Sequence, residues 1–229
     1  MNLDEAIRLT EILLGFAFLL QSLEHLKSFS NEQWIYVPRF VLSLLLIAGI
    51  QTSWVCGLLL LLGLAALNRF QGPYNGGSDR MSLLVLSCLF LSHVATTEFW
   101  REMALGYLAI QLVLSYFISG WVKIINPDWR SGRALQDVFQ FSAYPVSQSL
   151  RKWADKPQLM PYTSWYVMLF ELLFPLSLIS SMGLLAMLLV TGSFHFANAC
   201  LFGLNRFFWV WLSAYPAIIW FQQRLMPIS

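Results

Sequence analysis

The chain has 229 residues, 58% hydrophobic and only 11% charged, with a net charge of +2 and a mean hydropathy of +0.62. About a quarter of the residues in a soluble domain are charged, so the surface of a water-soluble fold could not be covered, and the same composition excludes disorder. The charge is too small for a nucleic-acid partner, and the unbroken apolar runs 42–50, 58–67 and 83–91 exclude the alternating strands of a membrane barrel.

The remaining fold class is an all-α, polytopic integral membrane helix bundle, read as a single domain over 1–229. The first helix is expected over 5–27 and begins with Asp4, Glu5 and Arg8. It lacks a small-residue cleavage site, so it reads as a retained span. Trp34 and Tyr36 mark an interface, and Pro38 suits the first turn of a second helix ending near Ile50. A polar break at Gln51 to Ser53 leads into a third helix ending near Leu67. The stretch from Asn68 to Arg80 is the densest turn signal in the chain. Helix four is expected over 81–97 and helix five over 102–125. The long polar stretch 126–161 holds two amphipathic pieces suited to the membrane interface. One presents Leu135, Val138 and Phe139. The other presents Val146, Leu150 and Trp153 opposite Arg151 and Lys152. Helices six, seven and eight follow over 162–180, 183–203 and 206–223, giving about eight crossings.

With that count, 3 of the 14 basic residues (Arg8, Arg101, Arg224) fall on one side and 11 on the other. The positive-inside rule places the basic side in the cytoplasm and both termini outside. The three cysteines, Cys56, Cys88 and Cys200, lie in apolar runs at wide spacing. They suggest small buried side chains and no metal site.

Few polar groups interrupt the apolar runs, and each needs a reason. Glu171 lies in mid-helix six, one turn before Pro175. It serves either a hydrogen bond between helices or proton handling. His195 and Asn198 are three apart and share a helix face. Tyr116, Gly120 and Lys123 form a stripe along helix five. Gly120 permits close approach of a helix or ligand. Lys123 reads either as a snorkelling interfacial lysine or as a base activated by burial. In Asn75-Gly76-Gly77-Ser78-Asp79, Ser78 or Asp79 can cap helix four, and the paired glycines let the backbone approach a ligand.

Three stretches taken together resemble the HTTM family, bacterial relatives of the membrane domain of vitamin K-dependent gamma-carboxylase. They are Tyr116 to Ile124 followed by Asp128-Trp129-Arg130-Ser131-Gly132, the turn Asn75 to Asp79, and Phe194-His195-Phe196-Ala197-Asn198-Ala199-Cys200-Leu201-Phe202. The resemblance covers about 69–221. It implies a chemistry in which a lysine deprotonates a quinol, here at Lys123, with His195 and Asn198 matching the histidine block. Gly77 stands where the carboxylase has a histidine. The chain ends six residues after helix eight, so no lumenal substrate module and no full glutamate carboxylation are expected. The resemblance also implies an extracytoplasmic active side, opposite to the charge count.

Two readings of function follow. The first is a small membrane enzyme acting on a peptide or a quinone-like lipid. Lys123 and His195 would be catalytic, and Asn198, Tyr116, Gly120, Glu171, Asn75, Gly77 and Asp79 would line the ligand site. The cofactor is a quinone or quinol, and the setting is the bacterial inner membrane. The second is a non-catalytic subunit or maturation partner of another membrane protein, binding lipid or quinone structurally. A transporter is disfavoured because no inverted repeat is visible.

Overall fold

A computed structural model describes residues 1–28, 33–69, 76–141, 148–156 and 158–226, and these are all-helical apart from short connections. Helix α1 (Leu3–Ser28) opens with a capping box. The Asn2 amide donates to Glu5 and the Glu5 amide to Asn2, at 2.9 and 2.8 Å, satisfying two otherwise orphaned donors. Helix α2 (Gln33–Ala48) starts five residues before Pro38, so that proline lies inside the helix rather than at its first turn. Pro38 cannot donate to the carbonyl four residues back, a defect that neighbouring helices let membrane segments tolerate.

The end of α2 is built tightly. Gly49 has a φ of +76°, which a residue with a Cβ rarely adopts. The amides of Gly49 and Ile50 return to the carbonyls of Leu46 and Leu45. The Arg8 guanidinium donates to the carbonyls of Leu46, at 2.8 Å, and Ile47.

Helix α3 (Thr52–Arg69) and helix α4 (Gly76–Val94) follow. Because α4 starts at Gly76, Asp79 sits inside its first turn and does not cap it. Helix α5 (Glu98–Ile125) is the longest at 28 residues. The polar stretch forms α6 (Pro127–Arg130), α7 (Arg133–Phe141), α8 (Gln148–Arg151) and a 3-10 turn at Lys152–Asp155. The apolar face of α7 is used by the protein itself. Leu135 and Phe139 pack with Ala154, Met160 and Phe202, so this face is not simply laid on the membrane. In the second amphipathic piece, Val146 lies outside the described residues, as do the contacts of Leu150, and Trp153 is exposed.

Helix α9 (Leu159–Leu173) tightens into a 3-10 segment at Phe174–Ile179. Helix α10 (Ser181–Phe202) is capped by Ser180, whose hydroxyl accepts the Gly183 amide at 3.0 Å, and is closed by Gly203 with a φ of +67°. The expected eighth helix is two: α11 (Asn205–Ser213) and α12 (Tyr215–Leu225) break at Ala214, just before Pro216. Four segments among the described residues are long and apolar enough to cross a membrane: Leu3–Lys27, Glu98–Ile125, Leu159–Ile179 and Ser181–Phe202. Helices α2 and α3 are apolar but shorter. Outward-facing Trp54, Leu61, Met182 and Leu189 are each more than 60% exposed, as lipid contact requires.

The chain forms two compact units. The first comprises Met1–Ile110 and Arg206–Ser229, and its interior holds Leu14, Phe18, Ile35, Leu46, Leu86 and Leu105. Buried Glu11 there accepts from Arg8 at 2.8 Å and meets His93 Nε2 at 2.5 Å. The second unit, Gln111–Asn205, carries the α7 core and the polar stripe of α5.

A polar stripe on helix α5 and its partners

Helical periodicity places Tyr116, Gly120 and Lys123 on one face about one turn apart, with Ser119 beside Gly120 and one turn before Lys123. Gly120 decides how near the neighbouring helix comes. A Cβ built there would lie 2.6 Å from the Leu172 amide nitrogen and 3.0 Å from the Glu171 Cβ. Backbone therefore rests against backbone, and α9 is drawn in at the turn that carries Glu171. Pro175, four residues on, has no amide to give the Glu171 carbonyl. The Phe174 amide reaches that carbonyl instead, and the helix tightens into the 3-10 segment.

This approach closes a buried ion pair. Lys123 Nζ stands 2.5 and 2.7 Å from the two Glu171 carboxylate oxygens. It also donates to Ser119 Oγ at 2.6 Å, while the Ser119 hydroxyl donates to Glu171 Oε1 at 3.2 Å. The Lys123 side chain is 16% exposed and that of Glu171 4%, so the lysine is the member that reaches the outside. The Trp129 ring centroid lies 5.2 Å from Nζ, within cation–π range.

Trp129 is held there by the short helix α6. Asn126 caps it, accepting the Asp128 amide at 2.9 Å. Ser164 and Trp165 of α9 donate to the carbonyls of Trp129 and Arg130, at 2.5 and 3.1 Å. Gly132 follows with a φ of +82°, and a Cβ there would meet the Pro161 nitrogen at 2.5 Å. The segment from Asp128 to Gly132 thus pins α6 onto α9 beside the lysine.

About two helical turns before Lys123, Tyr116 shares a hydrogen bond of 2.9 Å with His195 Nε2 on α10. Both are buried, and Tyr116 stacks on Phe174 with centroids 4.3 Å apart. Replacing Tyr116 by Phe is expected to lower stability by roughly 1–2 kcal/mol, because a buried histidine nitrogen loses its partner. Thermal unfolding in detergent measures this, with the buried Phe170→Leu as a packing control.

Of the residues singled out by sequence, Lys123, Glu171, Gly120, Tyr116 and His195 all lie in the second unit on the facing surfaces of α5, α9 and α10. Asn198 is half-buried on α10, where its carbonyl accepts the amides of Gly203 and Leu204. Gly77 and Asp79 belong to the first unit. A Cβ on Gly77 would meet the Phe207 ring at 2.9 Å, so that glycine makes room for packing. Asp79 accepts from Gln21. Asn75 lies outside the described residues. Ser119 and Trp129, which touch the lysine, were not singled out; Ser119 is four residues before Lys123 on a helix, which is the signal that identifies it. Cys56 and Cys88 are buried, but Cys200 is exposed. No cluster of three or more metal-binding side chains occurs among the described residues.

The family model of the HTTM domain matches residues 80–223. That is well over half of the chain, which therefore belongs to the HTTM family, the membrane domain of vitamin K-dependent gamma-carboxylase-like proteins. The match takes in all of the α5, α9 and α10 stripe and leaves α1, α2 and α3 outside. No curated protein and no solved structure matches the chain.

Proposed function

We propose that this HTTM protein handles a proton on a weakly acidic hydroxyl of an apolar ligand, a quinol or a related lipid, at the Lys123–Glu171 pair. One observation carries the reading: an ion pair closed at 2.5 Å within the second unit, with only its cationic member partly exposed. In this arrangement the pair, not a lone amine, is the base. The ligand O–H breaks, Glu171 gains the proton, and the Lys123 ammonium remains beside the oxygen that has become negative. Ser119 joins the two groups and can pass the proton between them. The donor set fits such a ligand, because an ammonium, a carboxylate and a hydroxyl meet, with the Trp129 ring beside the ammonium. A bound quinone would supply redox chemistry. Tyr116 and His195 orient the inner end of the stripe, with Asn198 one turn beyond His195. In a bacterial inner membrane, α2, α3, α4 and the α11–α12 pair complete eight crossings.

Anaerobic difference spectroscopy with a water-soluble naphthohydroquinone tests the proposal. Wild-type protein in nanodiscs is expected to produce the red-shifted absorbance of the deprotonated probe near neutral pH. Lys123→Ala and Glu171→Gln are expected to lose it. A wild type that leaves the spectrum unchanged, or variants that behave like it, would sink the reading.

A second reading has its own support. The closed pair and the Gly120 contact clamp α5 to α9, as a non-catalytic subunit would need for docking a partner membrane protein. In that case the protein co-purifies in a stoichiometric complex that survives apolar replacement of both Lys123 and Glu171.

A further inference from the structure

The polar stretch before α9 carries a second arrangement, independent of the Lys123–Glu171 pair. A cleft of about 600 Å³ opens there, lined among the described residues by Lys156, Gln158, Leu159 and Tyr162. All four belong to the second unit. They stand where the apolar segment Leu159–Ile179, long enough to cross a membrane, begins. The cleft therefore opens where lipid headgroups meet hydrocarbon.

One wall of the cleft is polar. Lys156 is exposed, and among the described residues no carboxylate closes an ion pair with its ammonium, the neighbouring Asp155 included. Its Nζ lies 6.0 Å from the Trp153 ring centroid, at the outer limit of a cation–π contact. That leaves its three N–H groups to an oxygen ligand. The Gln158 side chain makes no capping bond to α9, and Tyr162 is 78% exposed. An ammonium, an amide and a phenol hydroxyl thus border one cleft, and all three can donate. The 3-10 turn before the cleft starts at a second lysine, Lys152, and is closed by Lys156. Two lysines therefore stand against the single carboxylate of Asp155.

The other wall continues as an apolar track. After Tyr162 come exposed Tyr166, Leu169 and Leu173, at spacings of four, three and four, which keep them on one face of α9. Met160, Ser164, Val167 and Glu171, on the opposite face, are buried in the protein. From Tyr162 to Leu173 the track is about 16 Å long, the depth of one leaflet of a hydrocarbon core about 30 Å thick.

We infer that cleft and track hold one anionic phospholipid, its phosphodiester on Lys156, Gln158 and Tyr162 and an acyl chain along Tyr166, Leu169 and Leu173. A phosphodiester supplies both the negative charge and the acceptor oxygens that these donors lack. A headgroup that brings its own ammonium would meet Lys152 and Lys156 with like charge.

Native mass spectrometry of the full chain tests this, after delipidation in neutral detergent and titration with phosphatidylglycerol or phosphatidylcholine of the same acyl chains. One phosphatidylglycerol per chain is expected to saturate first, bound about fivefold more tightly than phosphatidylcholine, the worth of one lysine near a lipid surface. Lys156→Gln is expected to abolish that preference. Leu169→Ser is expected to weaken both lipids alike and to keep the preference. Both positions are exposed, so neither replacement threatens folding. Lys27→Gln removes an exposed lysine from the last turn of α1 and keeps the full response. Inorganic phosphate at millimolar concentration is expected to leave the lipid in place. Equal affinity of wild type for the two lipids, an undiminished preference in Lys156→Gln, unchanged binding in Leu169→Ser, or displacement by free phosphate each overturns the inference.

Discussion

Lys123→Met and Glu171→Leu, made singly, are each expected to destabilise the protein by about 3–5 kcal/mol, and made together to recover most of that loss. The reason is asymmetry. The Glu171 side chain is 4% exposed and that of Lys123 16%, so whichever partner remains is a charge in a low-dielectric interior. The double variant has no charge left to solvate, and Met and Leu have volumes that can fill the site. Thermal unfolding of the four proteins closes a double-mutant cycle. At about 2–4 °C per kcal/mol for a chain of this size, each single replacement lowers Tm by roughly 10 °C. Proton handling is lost in all three variants, including the stable one. A stable double variant that still shifts the probe spectrum would separate the pair from the activity.

Gly120→Val is expected to have the second largest effect, although it removes no polar contact. A Cβ at this position lies 2.6 Å from a backbone nitrogen, which cannot rotate away as a side chain tip can. Helix α9 must withdraw by an ångström or more, and the ion pair 2.5 Å long across this contact opens with it. Overpacking of this kind costs about 1–3 kcal/mol, to which the weakened pair adds. Gly106→Ala is the comparison, because a Cβ there meets only the Phe221 ring at 3.6 Å, an ordinary contact. Gly120→Val is therefore expected to lose the probe shift and several degrees of Tm, and Gly106→Ala neither. Ala at position 120 lies between, with the smaller side chain still inside the forbidden distance.

Much of the second unit was legible in the sequence, and for a physical reason. A charged or imidazole side chain inside an apolar run is expensive, so its presence signals a partner. Lys123, Glu171 and His195 were found in this way, and the i, i+4 stripe named Tyr116 and Gly120. The pairing itself was not legible, because it depends on where α9 sits against α5, and that is set by Gly120 and by the helix tightening at Pro175. The same rule, applied evenly, also marks Glu11, His25, Arg39 and His93, which lie in apolar helices of the first unit. Helix limits are least legible at proline, which can start, break or lie within a helix. Pro38 was placed at a helix start and lies inside one, whereas Pro216 breaks what was read as a single eighth span. The amphipathic face of α7 was assigned to the membrane surface because periodicity cannot distinguish lipid from the protein's own Met160 and Phe202.

Lys123 and Glu171 are the groups proposed to meet an apolar ligand, so the lipid that the purified protein retains is the most direct test. Purified full-length protein, extracted gently and analysed by lipid mass spectrometry alongside Lys123→Ala, measures it. Wild type is expected to retain a quinone- or quinol-type lipid at close to one per chain, and the variant to retain little. Ordinary phospholipid alone in the wild type, or equal quinone in both proteins, would contradict a proton-handling site at Lys123 and Glu171.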